Sequence, residues 1–232
     1  MNTLSQRIGF WSALLITITF VAWIICFSGI AMTMPLFTWT NPEEYIAFEQ
    51  QYPQYFQNIA KFFMMLFGPL YLIFLASFYD QTNENKKILI RISLLFGLAF
   101  AVTSSMHYFV QLSAVRQNLI QGYYDGLQYF AQANPYSMMT AIDMTGWTLF
   151  LGLSSFFFFP VLSGSRLKKI IRYAFLANGI CCTLAAIGYV FKIDVLTFLF
   201  INLGVGGAIM IISISGMIMF RKERVINRSL LP

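Results

Sequence analysis

Residues 88–115, ILIRISLLFGLAFAVTSSMHYFVQLSAV, decide the fold. The stretch is longer than the roughly 20 residues a helix needs to cross about 30 Å of hydrocarbon, and Arg91 and His107 are its only basic residues. Lys86 and Lys87 precede it and Arg116 follows it. Five further apolar runs share its length and character, over 8–34, 58–79, 136–162, 170–190 and 193–220. Only 10% of the 232 residues are charged, against about 25% in a soluble domain, and the mean hydropathy is +0.68. Such a chain lacks the polar surface to face water all round. The expected fold is therefore all-α, a single polytopic bundle of six transmembrane helices over 1–232, with membrane lipid as its first partner. The first run exceeds the short apolar core of a signal peptide and is read as a retained helix.

Twelve of the fifteen Lys and Arg residues lie at one end of the expected bundle: Arg7; Lys86, Lys87 and Arg91; Arg166, Lys168, Lys169 and Arg172; and Arg221, Lys222, Arg224 and Arg228. Lys61, Arg116 and Lys192 lie toward the other end. By the positive-inside rule both termini and the two basic hairpins are expected in the cytoplasm. The net charge of +6 then reflects topology and attraction to anionic lipid, with no nucleic acid implied. Ser163-Gly164-Ser165 reads as a tight turn rather than a phosphate loop.

The two longer connections at the opposite end suggest one or two outer-surface interfacial helices. In the first, Asn41, Pro42, Glu43 and Glu44 have the order of an N-cap, a first-turn proline and dipole-matched acids. Trp39, Tyr45, Phe48, Tyr52 and Tyr55 supply interfacial rings. In the second, 116–134, apolar residues recur at helical spacing around Gly122 and Gly126, predicting a surface-lying helix that either seals the bundle or acts as a lid.

Gly68-Pro69 inside the second run removes an amide donor, which frees a carbonyl for another partner. Small residues four apart (Ala177, Cys181 and Ala185; Gly204 and Ala208) predict that the fifth and sixth helices pack closely. Cys26, Cys181 and Cys182 all fall within spans without a paired motif, and the chain has one histidine. No metal site and no cofactor is implied.

The informative residues are polar groups inside apolar runs. His107 shares a helical face with Ser104 and Gln111, and Asp143 shares one with Thr140 and Trp147. At the helical rise, His107, Asp143 and Asn202 all lie about 10 to 14 Å below the less basic end. Intramembrane ionisable groups face the bundle interior or a wet cavity, because a charge left in lipid costs at least about 2.5 to 3.5 kcal/mol. The leading expectation is an outward-facing pocket for a small amphipathic or lipid-like molecule, lined by Ser104, His107, Gln111, Thr140, Asp143, Trp147 and Asn202. Alternatives are a membrane enzyme with His107 and Asp143 as catalytic acid and base, a proton-coupled carrier, and a structural or assembly subunit. In the last case the polar groups simply join helices, at about 0.6 kcal/mol per hydrogen bond. Asn178 beside the small stripe reads as such a joint.

The pattern His107-Tyr108-x-Val110-Gln111, then Val115-Arg116, Asn134-Pro135 and Asp143-x-x-Gly146-Trp147, resembles an uncharacterised group of bacterial six-span membrane proteins. The resemblance covers the third and fourth spans with their connection. It implies a bacterial cytoplasmic (inner) membrane and brings no activity, ligand or oligomeric state.

Overall fold

The computed structural model describes the backbone of residues 3–229 and the side chains of 4–222, so the Arg224 and Arg228 side chains counted above lie outside the described residues. Six helices are long and apolar enough to cross a membrane: Leu4–Thr33, Tyr55–Gln81, Glu84–Gln121, Met138–Phe158, Arg166–Val190 and Asp194–Lys222. No strand occurs among the described residues. Each span packs on the next in the chain, and the sixth returns to the first, closing a ring. Short connections between consecutive helices favour such antiparallel neighbours.

The outward faces are apolar. Leu95, Phe109 and Ile25 are each more than 60% exposed, the inverse of a soluble protein and the arrangement lipid requires. The ring interior is aromatic, and it is filled unevenly. Toward the end carrying the basic hairpins, Phe74, Phe78, Phe158, Phe175 and Phe220 are fully buried, with ring centroids 4.3 to 6.2 Å apart along the chain of contacts. This plugs the basic end. The same end is tied by Ser5 Oγ donating to Asp80 at 2.5 Å and by Lys86 Nζ donating to the Pro160 carbonyl at 2.6 Å. Gly164 has a φ of 107°, the left-handed geometry that lets the chain reverse tightly before Ser165 caps the fifth span.

Pro69 stays inside a continuous helix, Tyr55–Ala76. The carbonyl four residues earlier, Met65, has lost its amide donor to the proline and instead accepts a 2.9 Å hydrogen bond from Ser105 Oγ of the third span. The expected free carbonyl thus becomes an interhelical joint. At the same level Gly68 lets the two backbones approach: a Cβ there would lie 2.7 Å from the Ala101 Cα. Gly204 faces Cys181 just as tightly, which seats the sixth span on the fifth as the small-residue spacing predicts.

Deeper in the ring, buried polar side chains join neighbouring spans. Ser93 and Ser154 each donate to the other's carbonyl at 2.8 and 2.9 Å, the Tyr71 hydroxyl meets Ser154 Oγ at 3.0 Å, and Asn178 Nδ2 donates to Ser155 Oγ at 2.8 Å. Asn178 is therefore a joint between the fourth and fifth spans.

At the opposite end a cap covers the ring. The helix Pro42–Gln51 begins as its sequence predicts, with the Asn41 side chain accepting from the Glu44 amide at 2.8 Å. The second connection differs from expectation. Its first residues, Arg116–Gln121, continue the third span, and Gly122 then ends the helix at a φ of 75°. Gly126 repeats that left-handed conformation, after which Leu127 and Ala131 turn inward to pack with Tyr45 and Val115. Two left-handed glycines and burial against the cap helix convert an apolar periodicity into a folded loop, not a surface helix.

Candidate functional site

Between the cap and the aromatic plug lies a cavity of about 480 Å³. Its walls come from the first, second, third, fourth and sixth spans and from the cap helix. Rings and aliphatic chains dominate, among them Phe20, Trp23, Phe27, Tyr108 and Trp147. Polar groups reach it at a few points: Glu49, Gln57, Lys61, Gln132, Thr140, Asp143 and Asn202. An apolar concavity with few convergent polar groups is the usual form of a small-molecule site.

Three π-helical segments surround this level. They run over Gln111–Val115, Thr145–Phe150 and Leu199–Val205, in the third, fourth and sixth spans. A π turn inserts residues into the helical register and rotates everything beyond it, and such segments concentrate at functional sites. Gln111, Trp147 and Asn202, three of the residues singled out from sequence, each sit within one.

The expected set divides in the structure. Thr140, Asp143, Trp147 and Asn202 line the cavity. His107 stands behind the wall, with no exposed surface, and its Nε2 is 3.8 Å from Asp143 Oδ2. That is close enough for charge coupling and beyond a direct hydrogen bond. Gln111 serves the cap: its Nε2 donates to the Phe130 carbonyl at 2.6 Å, and its Oε1 accepts from the Gln132 amide at 3.1 Å. It also lines a second cavity of about 510 Å³ on the other side of Tyr45, Glu49 and Lys61. Ser104 is fully buried outside the cavity wall, and its hydroxyl has no hydrogen-bond partner. Ser105 Oγ is already bonded to Met65.

The tautomer of His107 follows from its neighbours. Nδ1 lies 3.1 Å from the Met139 carbonyl, which can only accept, so Nδ1 carries the hydrogen. In the neutral ring, Nε2 is then a bare lone pair facing a carboxyl oxygen. Neither Nε2 nor Asp143 Oδ1 has a hydrogen-bond partner. Two facing acceptors repel unless one of them carries a proton, and the pair is therefore poised to hold one. No family model, curated protein or solved structure matches this chain. The site is thus read from its own geometry.

Glu49 and Lys61 are the contribution that sequence reasoning missed. Glu49 projects from the cap helix into both cavities, as does Lys61 from the second span. Burial pushes the Glu49 carboxyl above the usual carboxylate range, while the Lys61 ammonium and the Tyr45 hydroxyl pull it back. Burial and then the Glu49 charge push the Tyr45 phenol upward. The signal in the sequence was the Tyr45–Glu49 spacing of four, which puts both on one helical face, opposite a lysine inside an apolar run. Among the described residues no three His, Cys, Asp or Glu side chains gather as metal ligands.

Proposed function

We propose that this integral membrane protein binds a small amphipathic or lipid-like molecule in the capped cavity. The supporting observation is the cavity itself, walled by aromatic rings and lined at one point by the Asp143 carboxyl. An apolar tail gains by leaving water for such walls, at about 25 cal/mol per Å², while the head meets the polar groups. Gly206 offers the test. A Cβ added there meets nothing nearer than the Phe20 ring at 3.8 Å, so a side chain can start from this lining position without a backbone clash. Protein purified in mild detergent is expected to carry a bound amphiphile in native mass spectrometry, and Gly206→Phe is expected to lose it while keeping its thermal stability. Wild-type protein with no adduct, or an adduct unaffected by Gly206→Phe, would overturn the reading.

A second reading, proton-coupled transport through the same cavity, is favoured by the single-proton geometry of His107 and Asp143. We place the protein in a bacterial cytoplasmic membrane, with its termini inside and its capped end outside. The basic hairpins support that orientation, and the family resemblance supports the setting. In a variant lacking the native cysteines, Glu44→Cys and Asp125→Cys are expected to react with an impermeant thiol reagent applied to intact cells, whereas Asn85→Cys stays protected. All three positions are exposed. Labelling of Asn85→Cys alone would reverse the orientation.

A further inference from the structure

The proposed pocket has a head-group preference written into its charges. Besides the phenols of Tyr45 and Tyr108, three of its lining side chains are ionisable acids or bases: Glu49, Lys61 and Asp143. Glu49 and Lys61 are electrostatically coupled to each other across the cap. Being opposite in sign, they add no net charge to the lining, which leaves the Asp143 carboxyl as the third ionisable group there. Asp143 is 7% exposed, and its Oδ1 has no hydrogen-bond partner. Its neighbours Tyr108 and Trp147 also line the cavity, with the Trp147 indole N–H turned toward the carboxyl.

Resting on the amphiphile reading, we infer that the ligand is an amphipathic amine whose protonated head binds Asp143 and whose tail occupies the aromatic cavity. An ammonium supplies what this corner lacks. Its N–H groups donate to the carboxylate, and its charge compensates that of Asp143 where water is scarce. An alcohol satisfies only the hydrogen bond, and a carboxylate is repelled by Asp143.

The proton balance follows from the histidine. With the cavity empty, the pair of facing acceptors carries one proton, held by one of its two members. When the ammonium arrives, its charge replaces that proton, which leaves to solvent. One cation in and one proton out conserve charge, and His107 remains neutral with Nδ1 bonded to Met139. The other titratable groups near the pair are Tyr108 on the third span, Lys61 on the second, Glu49 and Tyr45 on the cap helix and Tyr189 on the fifth span. The first and sixth spans bring no titratable side chain to the cavity among the described residues.

The test uses three chain-matched probes, decylamine, decanol and decanoate, with full-length protein in mild detergent at pH 7. Binding is read from the fluorescence of the cavity tryptophans Trp23 and Trp147 and from thermal shift. Decylamine is expected to bind at least about tenfold more tightly than decanol, the worth of one charge-assisted contact, with decanoate weakest. Asp143→Asn is expected to bring decylamine down to the decanol level while decanol binding persists, which shows that the variant is folded. Wild-type protein in weak buffer is expected to release about one proton per decylamine bound, and Asp143→Asn none. Equal binding of the three probes, or tightest binding of decanoate, overturns the amine assignment and leaves the amphiphile pocket standing. If none of the three binds, the pocket reading falls with it.

Discussion

His107→Ala is expected to destabilise the protein by about 3 kcal/mol, and to do so by only about 1.5 to 2.5 kcal/mol when Asp143 is already alanine. The ring has no exposed surface, stands edge-on to Tyr108 at 4.9 Å and bonds the Met139 carbonyl at 3.1 Å. Its loss therefore opens a void, frees a carbonyl and strands the Asp143 carboxyl. Only the last penalty depends on Asp143, and only that penalty disappears in the double variant. Asp143→Ala alone should cost less, because it also deletes the partnerless Oδ1. Interhelical hydrogen bonds in membranes couple by about 0.6 kcal/mol on average and about 1.7 at most. The 3.8 Å separation argues for the lower part of that range, and the burial and ionisable character of both groups argue for the upper. Equilibrium unfolding of the four proteins in mixed micelles measures the coupling. Strictly additive losses would dissolve the pair. Coupled stability with unchanged amphiphile retention would reduce it to a joint between helices.

That the two groups meet was legible in the sequence, because both are costly in lipid, lie at matching depth and sit on consecutive helices. Depth along a helix axis is simple arithmetic. Ser104, His107 and Gln111 share a buried face, as their spacing predicts, but Gln111 lies one turn nearer the cap and its amide goes there. The folded loop that receives it comes from a distant part of the chain, so that division was hidden. The Asn41 cap and the carbonyl freed by Pro69 were readable because each depends on a local covalent fact, a short acceptor side chain or a missing N–H. Glu49 was missed for the opposite reason. An acid on a polar connecting helix is ordinary, and only the docking of that helix over the ring turns it inward beside Lys61. The loop after Arg116 shows the same limit. Its apolar spacing was genuine, but Gly122 and Gly126 adopt left-handed conformations that direct Leu127 and Ala131 into a local core.

Trp147→Ala is expected to cost about 3 to 5 kcal/mol and to abolish retention of the amphiphile. Trp147 links the two halves of the ring interior. It stacks on Phe67 of the second span, with centroids 5.4 Å apart and planes 12° from parallel, and presents itself edge-on to Phe100 of the third at 5.1 Å. Only 7% of it is exposed, yet it lines the cavity, so its indole is both the top of the packed plug and the floor of the pocket. Truncation removes these ring contacts, each worth about 0.5 to 1.5 kcal/mol beyond area burial, and extends the cavity downward into the plug. Relaxation cannot close the gap cheaply. The neighbouring Phe67, Phe100 and Leu151 are fully buried and held from several sides. Trp147→Phe separates the two roles, since it keeps a ring against Phe67 and Phe100 while removing the indole N–H and part of the floor. It should recover more than half of the lost stability and leave amphiphile binding weakened. A loss below about 1 kcal/mol for Trp147→Ala in the same unfolding measurement would mean that the floor is not built on this ring, and that the cavity's depth is set instead by Phe67 and Phe100.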